Sequence, residues 1–328
     1  MQKEAVVGID IGGTFTKFAI VDRLANIMGE GSIPTSRTND AGEYVTHLAN
    51  AVNASIQEVA GQVVVKGIGI GAPNSNYKNG CIEYAVNLTW AHGKIIPFVQ
   101  LFKQHFNMPV AITNDANAAA LGEMIYGGAK EMKDFILITL GTGLGSGLVV
   151  NGELLYGHDG LAGEIGHVRA KDNGRICSCG RRGCLETYVS AQGIKRTVFE
   201  LLAEYTNPSE LRNYSFNDLT SETIYHAATR NDPIALKAFE ITGELLGVKL
   251  ADAVAHTSPQ AIFLFGGLAK SGDYILRPTR ESFEKNLLKN FQKVPVIMSL
   301  LTEGNVAVLG ASALIWQELN LHAHNGNN

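Results

Sequence analysis
The chain has 328 residues, 45% of them hydrophobic and 18% charged, with a net charge of −4, which points to an ordinary globular protein long enough for two domains. The acidic balance gives no electrostatic case for nucleic acid, no run of about 18 apolar residues offers a membrane span, and "MQKEAVVGID" lacks the apolar core of a signal peptide. The four cysteines, three of them clustered, argue against a secreted disulfide framework and leave the cytoplasm as the default compartment.

In chain order, "AVVGIDIGGTFTKFAIVD" predicts strand, glycine turn, strand. Residues 40–60 predict a helix, because apolar residues recur at Val45, Leu48, Ala49, Val52 and Ile56. "KGIGIGAP" is a strand ending in a loop. "VAITND" is a short buried strand running into the alanine-rich helix "ANAAALGEMIYG". "DFILITLGTGLGSGLVVNGELL" then repeats the opening pattern. Helices are expected over 190–204 and 232–256, and "QAIFLFGGLA" is a strand followed by a glycine pair. A further helix, a strand near 295–300 and a last helix over about 306–319 precede the polar tail "HAHNGNN", which is expected to be disordered. Strands alternating with helices indicate α/β architecture.

The repeat is specific enough to matter. "GIDIGGTFTKFAIVD" and "LITLGTGLGSGLVVN" align Asp10 with Thr139, Gly12 with Gly141 and Thr14 with Gly143, which suggests a duplicated domain with a cleft between the copies. Two hairpins alike by chance are the plain alternative. Neither turn is a Walker loop or a dinucleotide fingerprint, since each joins strand to strand. Glycine turns still let backbone N–H groups approach an anion closely. Asp10 is placed to hold Mg²⁺ through water, and Thr14 and Lys17 to add donors to a phosphate. Two such turns facing each other would hold both sides of a polyphosphate, whereas each alone is equally a tight hairpin. Gly266 and Gly267 form a third close-approach point, suited to a flat purine or simply to a strand-to-helix turn.

Asn114 and Asp115 end a strand and begin a helix. Both residue types are favoured N-caps. Asp115 also fits a general base for phosphoryl transfer, which needs little from the protein beyond positioning, one proton acceptor and charge neutralisation. Both roles coexist only if the Asp115 side chain points away from the helix amides. Glu164, His167 and Glu186 bracket the cysteines and are the types expected to accept the paired hydroxyl protons of a sugar, though glutamates taken singly are commonly surface charges.

His167, Cys177, Cys179 and Cys184 supply four N/S ligands in compact sequence, the number a closed structural zinc site requires. A disulfide would leave one cysteine over and conflicts with a reducing compartment, and no CxxC redox pair is present. Four protein ligands leave no open position for catalysis by the metal. Cys81, in "NGCIEYA", is expected to be a small apolar residue.

Together these motifs resemble the ROK family (repressor, open reading frame, kinase) over nearly the whole length. "GIDIGGTFTKFAIVD" looks like its first phosphate motif, "NDANAAALGE" its catalytic loop, "GTGLGSGLVVNGELLYGHDGLAGEIGH" its second phosphate and sugar segment, and "CSCGRRGCLE" its zinc signature. The resemblance implies an actin-like ATPase (ribonuclease H-like) fold of two α/β domains with an interdomain cleft. The expected division is a small domain over 1–114, with the C-terminal helix of about 306–320 packing back on it, and a large domain over 115–305 containing the zinc-binding segment. It implies ATP-dependent phosphorylation of a hexose at its 6-hydroxyl, glucokinase-like, by a cytoplasmic homodimer with structural Zn²⁺ and with Mg²⁺ accompanying ATP. Asp115 then matches the base. Asn87, Asn114, Glu164, His167 and Glu186 match sugar ligands. Asp10, Gly12, Gly13, Thr14 and Lys17 match the first phosphate loop, Thr142 and Gly143 the second, and Gly266 and Gly267 the adenosine segment.

The chain departs from the family at "GAPN", Gly71 to Asn74, where a glycine is common in place of Asn74. This bears on loop conformation and sugar preference. Kinases of N-acetylmannosamine, N-acetylglucosamine, fructose or allose share the motifs. A sugar-responsive repressor is the rival of another class. It is disfavoured because the first strand begins near residue 4, where a winged-helix domain would have to precede it, and because a pure sensor needs no Asp115.

Overall fold
A computed structural model describes residues 2–291, 293–301 and 306–325, the last four of these by their backbone only. The chain forms two compact units: Met1–Glu131 with Tyr156–Ala162 and Leu300–Asn328, and Met132–Leu155 with Gly163–Ser299.

The first unit opens with β1 (Lys3–Ile11), β2 (Phe15–Asp22), β3 (Ile27–Pro34), α1 (Ala41–Val59) and β4 (Val63–Gly71). The short strands β5 (Ser75–Asn76), β6 (Cys81–Glu83) and β7 (Ile95–Ile96) follow, then α2 (Phe98–Lys103), β8 (Val110–Thr113) and α3 (Asp115–Tyr126). Its main sheet runs β3-β2-β1-β4-β8, and β5-β6-β7 form a small separate sheet. β1 is apolar on both faces from Ala5 to Ile9, as a central strand covered on both sides must be. Asp40 caps α1 by accepting the Glu43 amide at 2.8 Å. The helix buries Tyr44, Val45, Leu48, Ala49 and Val52.

The second unit holds β9 (Phe135–Leu140), β10 (Leu144–Val150), β11 (Glu153–Leu154), α4 (Ala191–Glu204), α5 (Ser221–Thr229), α6 (Pro233–Thr257), β12 (Ala261–Phe265), α7 (Asp273–Asn286) and β13 (Val296–Met298). Its sheet runs β11-β10-β9-β12-β13. The two five-stranded sheets therefore share one plan. A hairpin carries an antiparallel outer strand on one side, and two parallel strands follow on the other. The repeat seen in sequence is a repeat of topology. Its alignment slips by one residue at the turn: Ile11 pairs with Thr16, whereas Leu140 pairs with Leu144. The second turn is tighter because the Gly141 amide reaches the Gly143 carbonyl, where the Gly12 amide reaches Phe15.

The closing helix α8 (Val306–Asn325) covers the sheet of the first unit. It lies directly on the strand backbone: a Cβ on Gly8 would stand 2.1 Å from the Val308 carbonyl oxygen, and one on Gly69 1.9 Å from that of Ala311. α3 packs on the same helix through Gly310, whose Cβ would meet the Ala118 carbonyl at 2.2 Å. That packing puts α3, and with it Asp115, in the first unit, whose first segment runs to Glu131. The polar tail expected to be disordered continues α8 through Asn325, and residues 326–328 lie outside the described residues.

Candidate active site
In the first unit, the ends of β1, β4 and β8 fall at one sheet edge, with Asp10 paired to Gly71 and Gly71 to Thr113. Asp10 also stands opposite Lys17 across the hairpin. Asp115 opens α3 two residues past Thr113. Burial raises the Asp10 carboxyl to about 6, the nearby Asp115 charge adds to the rise, and Lys17 opposes it. Burial also raises Asp115, while the Ala116 amide, donating to its Oδ1 at 2.9 Å, opposes. Asp115 nevertheless reaches solvent, so crowding by protein, not enclosure, removes its water.

The competition between capping and catalysis resolves by division of labour. Asn114 takes the cap, its Oδ1 accepting the Asn117 amide at 2.7 Å. Asp115 is therefore not needed to terminate the helix. Gly12, Gly13 and Thr14 form the first turn, and a Cβ on Gly13 would sit 3.2 Å from the Asn87 carbonyl oxygen. This brings Asn87 beside the turn. Asn74 adopts φ +54°, the left-handed conformation that asparagine tolerates better than most residues. The residue that departs from the family pattern therefore fits its position without a glycine.

In the second unit, one ligand atom each from His167, Cys177, Cys179 and Cys184 lie within 4.8 Å of one another. Cys179 and Cys184 Sγ are 3.7 Å apart, and Cys177 Sγ is 3.6 Å from His167 Nδ1. A tetrahedral zinc with bonds of about 2.3 Å separates its sulfurs by about 3.8 Å, so the donor set and its spacing fit that ion. His167 Nε2 points the other way, 3.9 Å from a carboxylate oxygen of Glu164. The loop carrying the cluster is wound by hydrogen bonds from Cys177 N to Arg181 O and from Gly183 N to Arg175 O. Gly183 has φ +76°, and its Cβ would lie 1.8 Å from the Lys171 carbonyl oxygen, so only glycine fits.

Glu186 joins this cluster to the second turn. Its Oε2 accepts the Leu144 amide at 3.0 Å, and a Cβ on Gly143 would stand 2.4 Å from the same oxygen. Gly143, expected beside a phosphate, thus also has the Glu186 carboxylate lying against it. Thr142 lies in the same turn. Gly266 has φ +106° and packs on the Leu140 backbone, 2.7 Å from where its Cβ would be, whereas Gly267 meets nothing within 4 Å. Of the pair, only Gly267 faces open space.

One residue escaped the sequence reading. Arg175 is 10% exposed, and all five of its guanidinium N–H groups are engaged. They donate to the Glu200 carboxylate, the Thr187 and Gly193 carbonyls and Thr197 Oγ1. The guanidinium also stacks 4.3 Å above the Tyr188 ring and holds Glu200 below the usual carboxylate range. In "GRICSCGRRG" it looks like one solvated arginine among three, and nothing in the sequence distinguishes it.

Comparison with known proteins gives the family and the fold. The glucokinase of Halalkalibacterium halodurans is 34% identical over 98% of this chain and 97% of its own length. The ROK family glucokinase of Streptomyces griseus, solved in complex with glucose and AMPPNP, superposes with a TM-score of 0.76 at 30% identity, covering 94% of this chain and 98% of that one. The xylose repressor of Caldicellulosiruptor bescii is 26% identical over 96% of this chain and 79% of its own length. The fold is the actin-like ATPase fold. The ROK family matches residues 6–318, nearly the whole of the two repeated sheets together with the cysteine loop carried by the second, and the chain belongs to that family.

Proposed function
We propose that the chain is an ATP-dependent glucose kinase acting on the 6-hydroxyl, with Asp115 as general base. The observation that carries this reading is the placement of Asp115. It stands at the end of β8 beside Asp10, relieved of capping by Asn114, with Oδ1 held by the Ala116 amide. Oδ2 is left to accept the hydroxyl proton. As that proton passes to Asp115, the sugar oxygen forms its bond to the γ-phosphorus and the bond to the β-phosphate oxygen breaks, leaving ADP. Asp10 would hold the Mg²⁺ that accompanies the nucleotide, which would neutralise charge on the phosphates, and Thr14, Lys17 and the turn amides would supply donors to those phosphates. Asn87, Asn114, Glu164, His167 and Glu186 are assigned to the sugar, and Gly267 to the adenosine side. Zinc, when bound by His167 and the three cysteines, supplies a cross-link and no chemistry. A cytoplasmic homodimer feeding glucose into glycolysis is the corresponding setting.

The raised Asp115 pKa sets the pH dependence. A base must be ionised, so turnover falls as the medium is acidified through a pKa above the ordinary carboxylate range, earlier than a solvated aspartate would allow. Asp115→Asn is expected to lower kcat by at least about 10³-fold while glucose binding stays within about tenfold. Coupled assays with glucose and with N-acetylmannosamine, and calorimetric glucose titration, provide the check. Near-normal kcat in the variant eliminates the assigned role, and faster turnover of the N-acetylated sugar reassigns the substrate. Metal analysis is expected to return about one zinc per chain.

A further inference from the structure
Glu186 stands where the metal cluster and the second glycine turn meet. It follows Cys184 by two positions, and its Oε1 lies 3.9 Å from Cys177 Sγ. Its Oε2 accepts the Leu144 amide. A second bond grips the same turn from the other end, where the Ala191 amide donates to the Gly141 carbonyl at 2.9 Å. Ser190 stiffens the connection between these two points: its hydroxyl donates to the Glu186 carbonyl at 2.8 Å and accepts the Gly193 amide at 2.9 Å. Residues 186–191 therefore hold the turn 141–144 at both of its ends. The absence of a side chain on Gly143 is what lets the carboxylate come so close. A residue that only received a sugar hydroxyl would need neither the Leu144 amide nor a glycine against its carboxylate.

We infer that Glu186 is a positioning residue for the second glycine turn, through which occupancy of the metal cluster sets the order of that turn and its affinity for nucleotide, with or without sugar. This rests on reading the turn as a phosphate-binding one. The Leu144 amide is spent on Glu186, so its part is to aim the preceding amides of Thr142 and Gly143. Backbone amides bind an anion well only when their orientation is fixed beforehand. Loss of the metal frees the segment from Cys177 to Cys184, and the latch at Glu186 loosens with it.

The direct readout is hydrogen exchange at the Leu144 amide in the full, metal-loaded chain. Glu186→Ala is expected to speed that exchange by about tenfold or more. Glu186→Gln keeps an oxygen for the same bond and is expected to stay within about threefold. Cys179→Ser, which lowers metal content, is expected to speed exchange as well, and to add little when combined with Glu186→Ala. Unchanged exchange in Cys179→Ser, or fully additive effects in the double variant, overturns the latch. Should Glu186→Ala fail to fold, Gly143→Ala, which crowds Oε2 with Glu186 intact, gives the same readout. Calorimetric titration with Mg²⁺ and AMPPNP in the absence of sugar is expected to show about tenfold weaker binding in Glu186→Ala and Cys179→Ser. Unchanged affinity alongside faster exchange overturns the link to nucleotide. If the unaltered chain does not bind AMPPNP, the kinase reading fails, and the exchange data still decide whether the latch exists.

Discussion

The charge state of one partly buried carboxylate, Asp10, bears on both stability and the proposed function. Asp10 has a folded pKa of about 6 against an ordinary 3.8. A raised acid binds more protons folded than unfolded between those values, so its contribution to stability falls as pH rises from about 4 to 6, and the full cost of the ionised form is present at pH 7. Asp10→Asn removes that cost. The variant is expected to be more stable by roughly 2–3 kcal/mol at pH 7 and nearly unchanged at pH 4, as judged by denaturant midpoints, while phosphoryl transfer is lost. Equal stabilities at the two pH values would mean that the carboxylate is not desolvated. A residue kept at such a cost points to function. The position of Asp10 at the mouth of a glycine turn was legible in the sequence. Its electrostatic coupling to Asp115, more than a hundred residues away in sequence, was not, because only the parallel pairing of β1, β4 and β8 brings the two together. The division of labour between Asn114 and Asp115 was equally hidden, since both residues cap well and only geometry shows which one does.

At the scale of elements, the cysteine loop was legible in sequence as four donors lying close together, but not as a mechanical object. Its spacing announced the donors, because four N/S groups so close in sequence have few other uses. The anchor that holds the loop against α4 is Arg175, whose partners Gly193, Thr197 and Glu200 lie on that helix. Arginine in a basic run is ordinarily solvated, so sequence gives no signal of its burial. Lysine keeps the charge but not the planar five-donor fork, and would leave the Thr187 and Gly193 carbonyls without their donors. Arg175→Lys is expected to cost about 2–4 kcal/mol and to lower metal retention during dialysis against a mild chelator. An unchanged thermal midpoint together with full retention would assign the fork no role in the loop. The closing helix shows the reverse case. Its existence was expected from the sequence, but the glycines that let it lie on bare backbone, Gly8 and Gly69, look in sequence like weak points in strands.

Across the whole molecule, one topology is used twice for different ends. The first copy keeps carboxylates at its strand ends, Asp10 and Asp115. The second places Thr139 where Asp10 stands in the first, tightens its turn by one residue, and carries the cysteine loop between β11 and α4. Among the described residues, that loop packs into one of the two large cores. Ile165, Leu185, Tyr188 and Val189, which flank the ligands, belong to the hydrophobic cluster containing Ile138, Phe239 and Leu264, whereas the cluster around Ile9, Leu48 and Phe98 contains none of them. Removing a metal held by the proposed ligands would therefore withdraw support from the second unit. Calorimetry of the intact chain, with and without a strong chelator, is expected to resolve two transitions, since a chain with two cores need not unfold in one step. The transition of the second unit should fall by about 5–10 °C on chelation while the other stays within about 1 °C. Glycine-rich loops without metal gain conformational freedom, and the burial of Leu185 and Tyr188 depends on the loop remaining closed. Adding zinc back in slight excess should restore the lowered transition. If both transitions fall together, the cores are thermodynamically one. If neither moves, the cluster is not a structural cross-link, and the reason three cysteines and a histidine converge there has to be sought in redox or ligand chemistry.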